Sequence, residues 1–319
     1  MAVSAASVET AFRAPAARTR AYVGLTVATA CWASAFVLGK VVLREMTPLA
    51  LGTWRYIVAT LVLVPFVLRA RAASPRQRGL APGVVLPLGV MVLVGGVLYP
   101  WLFLAALART SAANTSLLIA LNPLATLLLS PFVGERLGRA QILGATLAFA
   151  GAVLVISRGD AGELLALRVD TGDLLALAAA ACWATFNLTS RLVVDRAPAA
   201  TVNLAVFSGG AIALCLLGLG EAPLAQLTHA TLPALLALVA MAVLSSVVAG
   251  QLFLVGVRDA GVGRAVVFIY LVPVLTAITS VAVLGDVGGS MLEFDGLASV
   301  SVAELRSIWD SALEKLVNG

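Results

Sequence analysis

Charge is what this chain has least of. Asp, Glu, Lys and Arg make up 12% of its 319 residues, against roughly 25% in an ordinary soluble domain. Its one histidine, His229, rules out an H-E-x-x-H zinc helix. No Gly-rich loop runs into Gly-Lys-Ser/Thr, which excludes a pump driven by its own ATP site. Cys31, Cys182 and Cys215 are its three cysteines, each inside an apolar run and without paired spacing. They read as small helix residues, not as disulfides or metal ligands. No Asp or Glu falls near the middle of any apolar run. Were the chain a carrier, the buried carboxylate usual in proton coupling would be missing, and facilitated diffusion or exchange would stand level with it. A membrane enzyme would lack its nucleophile–base pair or metal set, and neither catalysis nor a cofactor is expected.

Apolar residues fill the space that charge leaves, 61% of the chain at a mean hydropathy of +1.03. Packing in water cannot hide that much apolar surface, so the solvent must be lipid, where a spanning helix needs roughly 20 apolar residues. Nine such runs recur: Tyr22–Leu43, Pro48–Leu68, Val84–Leu107, Ser111–Val133, Gln141–Ile156, Asp173–Val194, Thr201–Leu219, Leu232–Val257 and Val262–Leu284. The expected class is an all-α polytopic membrane protein. The net charge of +5 sits in short loops, which points to membrane orientation and not to nucleic acid.

Two stretches say nearly the same thing: "CWASAFVLGK" from Cys31 and "CWATFNLTSR" from Cys182, 151 positions on (182 − 31). Further along, "FLAALARTSAANTSLLIALNPLATLL" from Phe103 pairs with "FLVGVRDAGVGRAVVFIYLVPVLTAI" from Phe253, an offset of 150 (253 − 103). Each repeat holds about five spans. An odd number makes the second copy enter from the opposite face, the inverted plan of many secondary transporters. The bases agree with that plan. With the N-terminus inside, cytoplasmic segments hold thirteen bases (3 + 4 + 2 + 2 + 2) and outer loops five: Lys40, Arg44, Arg109, Arg158 and Arg168. Such a bias places the N-terminus in the cytoplasm.

The segment Arg109–Ile156, "RTSAANTSLLIALNPLATLLLSPFVGERLGRAQILGATLAFAGAVLVI", resembles the drug/metabolite transporter superfamily in its EamA-type ten-helix branch. The likeness rests on the "TSAAN" helix start, the mid-span "NP", the "GER" that closes span 4 and the glycine-spaced span after it. "LALGTWRYIVATLVLVPF" at Leu49–Phe66 looks like the same family's second span. The resemblance covers roughly Val23–Leu284. It implies an inner-membrane carrier of small metabolites or drugs, often an exporter, built of two inverted five-helix halves. Spans 1, 3, 4, 6, 8 and 9 would surround a central path. The expected partners are a small-molecule substrate and the bilayer, with a homodimer left open.

The organisation expected is a cytoplasmic tail over 1–21, a first repeat over 22–158, a second over 172–285 and a polar tail over 286–319. That tail departs from the family. Gly285-Asp286 stands where Gly134-Glu135 stands in the first half, and the charges that follow interrupt every apolar stretch long enough to span. Ser301–Val317 reads instead as an amphipathic helix, with Ser301 and Glu304 as a capping box. It leaves an alternative to transport, a sensor or scaffold that binds a partner through this helix.

Candidate path residues follow from polarity and aromaticity inside the spans. Arg55 is the only base well inside one. It reads as a cationic contact for an anionic or zwitterionic substrate, or as an arginine that snorkels to the outer interface or braces two helices, with Trp54 and Tyr56 as interface anchors. Asn114, Asn122 and Pro123 lie in span 4, with Tyr270 and Pro273 in the matching part of span 9. A proline frees a backbone carbonyl, and a broken helix at mid-membrane is a recurrent carrier site. Trp32 and Trp183 are repeat-equivalent in spans 1 and 6, Tyr99 and Trp101 lie in span 3, Asn187 in span 6 and Gln251 in span 8. Each of them reads either as path lining or as packing. The pairs Gly95-Gly96 and Gly209-Gly210 read as close helix contacts.

Overall fold

The structure, a computed structural model, describes residues 15–73, 83–129, 143, 147 and 170–284. Among the described residues there are seven helices long and apolar enough to cross a membrane. Helix α1 is Pro15–Val42 and α2 is Pro48–Ala73. Next come α3 (Val85–Arg109), α4 (Ala112–Ile119) and α5 (Asn122–Leu129). The second half follows with α6 (Thr171–Arg191), α7 (Ala199–Leu217) and α8 (Leu232–Ala260). Last is α9, built from Val262–Ala265, the 3-10 turn Val266–Tyr270 and the helix Leu271–Leu284. The predicted fifth span apart from Leu143 and Leu147, the Gly134-Glu135-Arg136 segment and the predicted C-terminal helix lie outside the described residues.

Local chemistry sets the helix starts. Pro48 opens α2, where a missing N–H costs nothing, and the Thr47 hydroxyl accepts from the Ala50 N–H at 3.3 Å. Asp170 and Asp173 form a reciprocal capping box on α6, satisfying two donors that a helix start leaves orphaned. The Ser111 hydroxyl accepts from the Asn114 N–H and caps α4. Between α8 and α9 the chain turns at Gly261, whose φ of 86° suits a residue without Cβ.

The predicted fourth span is broken. Ala120 and Leu121 leave the helix, and α5 restarts at Asn122-Pro123. The ninth breaks at the matching place: the 3-10 turn ends at Tyr270, and the next helix begins at Leu271 with Pro273 in its first turn. Proline fits there because the first turn needs no donor from it. Helices α3 and α8 carry a second matched irregularity, π-helical turns over Val92–Leu98 and Met241–Val248.

Packing is reciprocal under the sequence repeat. Helix α1 lies against α8 and α9, and its counterpart α6 lies against α3, α4 and α5. Helices α2 and α7 pack on each other, while α2 meets the π turn of α8 and α7 meets the π turn of α3. The backbones of α3 and α7 touch: a Cβ on Gly210 would stand 2.3 Å from the Gly96 carbonyl oxygen. The centre is closely filled by side chains such as Leu104, Met241 and Phe253, all below 2% exposed. On the outside Leu61, Leu86, Leu236 and Ile278 stand out from the bundle. A belt of exposed leucine and isoleucine is untenable in water and ordinary against lipid.

One end of the bundle is tied by polar contacts. The Glu45 carboxylate, between α1 and α2, accepts from the Thr231 N–H and hydroxyl, each at 2.7 Å. Those two bonds hold its carboxyl below the usual glutamate range. Thr47 donates to Glu221 from its hydroxyl and to Gln226 from its N–H at 2.7 Å, and Trp54 Nε1 donates to the Pro223 carbonyl at 2.9 Å. The turn between α1 and α2 is thereby fastened to the short helix Pro223–His229 that precedes α8.

Candidate transport site

Where the two π turns face the bundle interior, α1, α2, α3, α6, α7 and α8 enclose a cavity of about 50 Å³. In each π turn a carbonyl at a repeat-equivalent position, Gly95 or Ser245, accepts from a side chain of another helix. The Gly95 carbonyl accepts from the Tyr56 hydroxyl at 3.2 Å, and the Ser245 carbonyl from Trp32 Nε1 at 3.1 Å. A π turn thus supplies an acceptor, which is why such turns gather at functional sites.

The walls are aromatic. Trp32 meets Trp183 edge to face with centroids 5.4 Å apart, and Tyr99 lies 4.6 Å from Trp183. Phe253 closes on Trp32 at 5.1 Å, and Phe186 stacks on Trp183 at 4.8 Å. These separations are within the range of attractive ring contacts. Gly95 is a glycine because the Phe186 ring fills the space beside it: a Cβ there would come within 2.4 Å of the ring.

One charge enters this aromatic box. Arg55 is 6% exposed. Its Nε donates to the Ser246 hydroxyl on α8 at 2.7 Å, and its guanidinium carbon lies 5.5 Å from the Tyr56 ring centre. Its Nη1 is buried with no hydrogen-bond partner. Asn203 on α7, 2% exposed, also carries a buried and unpartnered Nδ2. Among the described lining residues there is no carboxylate.

Of the residues anticipated from sequence, Trp32, Arg55, Tyr99 and Trp183 line the cavity together. Arg55 does not snorkel, since it is buried and braces α2 to α8. Tyr56, anticipated as an interface anchor, is instead buried at 3% exposure because its hydroxyl reaches the Gly95 carbonyl. Trp101 points the other way, 39% exposed on the outer face of α3; two residues along a helix turn a side chain some 200° from Tyr99. Asn114 stands at the start of α4, where its Nδ2 donates to Thr110 Oγ1 and to Asp173 Oδ1. It ties α4 to the cap of α6 and does not reach the cavity.

Asn122 and Asn187 form a separate buried locus between α5 and α6. Pro123 cannot donate to the Ile119 carbonyl, four residues back; Asn122 Nδ2 does so at 2.9 Å. Asn187 Nδ2 then donates to Asn122 Oδ1 and to Thr126 Oγ1, each at 3.2 Å. The Asn-Pro pair is therefore self-repairing, with the amide replacing the proline's lost donor. Pro273, Tyr270 and Gln251 also stand off the cavity walls, half-buried on α9 and α8. Sequence reasoning missed Asn203, Ser246 and the π-turn carbonyls. The Ser245-Ser246 pair within the apolar run of α8 was a readable signal; the π turns had none.

Apolar helices around a buried, aromatic-walled cavity with one unneutralised cation make a multi-pass membrane protein built to handle small solutes. The chain belongs to the EamA-like transporter family, whose model matches residues 19–157 and 170–290. It is 28% identical to "Uncharacterized transporter YyaM" of Bacillus subtilis (strain 168), over 78% of this chain and 81% of that one. With a "Probable amino-acid metabolite efflux pump" of Salmonella typhimurium it shares 31% identity over 56% of each chain. A "Probable terminal-alkyne amino-acid exporter" of Streptantibioticus cattleyicolor is 28% identical over 89% of this chain and 92% of its own. The protein is thus a membrane transporter with a small-molecule substrate.

Proposed function

We propose that the chain exports amino-acid-like or amphipathic metabolites across the bacterial inner membrane by alternating access, with its N-terminus in the cytoplasm. Two inverted halves rock about the central cavity, and Trp32, Arg55, Tyr99 and Trp183 form the path. The observation that carries this reading is the cavity itself: residues of both repeats build it, and it is narrow. Small-molecule sites usually enclose about 300–1,000 Å³, so about 50 Å³ holds a few waters and a solute enters only when the halves part. The exporters among the relatives supply the direction and the amino-acid-like class. Dimerisation through the lipid-facing surface is part of the same proposal and is read from the oligomer mass in detergent.

Efflux tests the reading. Cells expressing the chain are loaded with a panel of labelled amino acids, nucleobases and cationic dyes, and release is followed. The expected outcome is faster release of the amino-acid-like class, returning to the empty-vector rate with Arg55→Ala. Equal release from expressing and empty cells, with the protein present in the membrane, contradicts it.

A further inference from the structure

We propose that the cavity selects its solute by a carboxylate held on Arg55, and that an amino group on the solute is dispensable. This inference rests on the transport reading above and names the chemistry by which that site recognises its substrate.

The guanidinium carries a positive charge and only donors, and burying a charge without a counter-ion is costly. Arginines inside membranes normally pair with an acid or with backbone carbonyls. Arg55 does neither on its Nη1 side: one serine hydroxyl on Nε is its sole hydrogen-bond partner among the described residues. Arg55 lines the cavity, and a guanidinium fork has the geometry that matches a carboxylate through two parallel N–H···O bonds. Asn203 Nδ2, the other unpartnered buried donor on the walls, offers a third N–H. The site therefore presents donors in excess and one net positive charge. A carboxylate satisfies both at once.

An ammonium group meets the opposite conditions. No described lining residue is acidic, and the fixed charge of Arg55 repels a second cation in a medium of low dielectric. Where a carboxylate on the same solute already neutralises Arg55, that repulsion is largely removed, and the ring faces of Trp32, Trp183 and Phe253 can accept the ammonium; an amine without a carboxylate has no such relief. The same rings suit the apolar body of the solute. The structure thus describes a site for an aromatic or apolar carboxylate, with or without an α-amino group.

Three probes with the same aromatic body separate the terms: L-phenylalanine, 3-phenylpropanoate, which lacks the amino group, and 2-phenylethylamine, which lacks the carboxylate. Full-length protein is reconstituted in liposomes, and entry of each labelled probe against a trapped pool of itself is measured. The expected result is exchange of the first two at rates within about threefold of each other and no exchange of the amine above protein-free liposomes. Arg55→Lys keeps the charge but loses the fork, and reduced exchange of both carboxylates by at least tenfold is expected. The comparison among probes on the unaltered protein stands even if that variant does not fold. Exchange of the amine at a rate comparable to the carboxylates, or of L-phenylalanine without 3-phenylpropanoate, overturns the inference and leaves the transport reading intact. If no probe exchanges, and none of the wider panel of amino acids, nucleobases and dyes does either, both fall.

Discussion

Gly210 shows how little room separates the two halves. A methyl group there would sit 2.3 Å from the Gly96 carbonyl oxygen and 2.8 Å from the Tyr56 ring, and backbone cannot yield as a flexible side chain can. Gly210→Ala is therefore expected to cost about 1–3 kcal/mol, as overpacked sites do. Thermal unfolding in detergent should register a lower midpoint, whereas Gly89→Ala, which meets nothing within 4 Å, should leave it unchanged or raise it. The close approach was legible at this scale, because paired glycines in apolar runs have few other uses. So were Trp32, Trp183 and Arg55, since a repeated tryptophan and a lone intramembrane base stand out against leucine and alanine. Asn114 and Trp101 lie off the cavity for one reason: residue type says that a side chain is polar or aromatic, and only the helix rotation says where it points. Asn122 stands apart from the cavity for another reason: its amide bonds the Ile119 carbonyl that the following proline leaves unpaired.

At the scale of elements, the two π turns place the path residues. Tyr99 and Phe103 follow the turn in α3, and Gly250 and Phe253 follow the turn in α8. Deleting Leu93, an exposed residue within Val92–Leu98, would restore a regular helix. It would leave the following residues close to their present phase but return the Gly95 carbonyl, which accepts from Tyr56, to the regular ladder. The expected outcome is loss of transport with helix content by circular dichroism nearly unchanged; full transport by the deletion variant would remove the turns from the account. Most helices were readable from apolar run length, because lipid enforces both length and composition. The π turns were not, since they alter hydrogen-bond register without altering hydropathy. The break at Ala120–Leu121 was signalled by the Asn122-Pro123 pair that follows it, although the apolar run continues on both sides.

For the whole molecule, the reciprocal contacts matter most. Helix α1 packs on the end of the second repeat, α6 on the end of the first, and the aromatic box forms where they cross. The contacts of Glu45 and Thr47 with Thr231, Glu221 and Gln226 tie one end of this assembly. The direct measurement is access to Asn203 from the two membrane faces. With Cys31, Cys182 and Cys215 replaced by serine, Asn203→Cys would be treated with a membrane-impermeant maleimide in right-side-out and in inside-out vesicles. Alternating access predicts labelling from both faces, at rates that a transported solute lowers. Labelling confined to one face, whatever solute is present, would contradict the account.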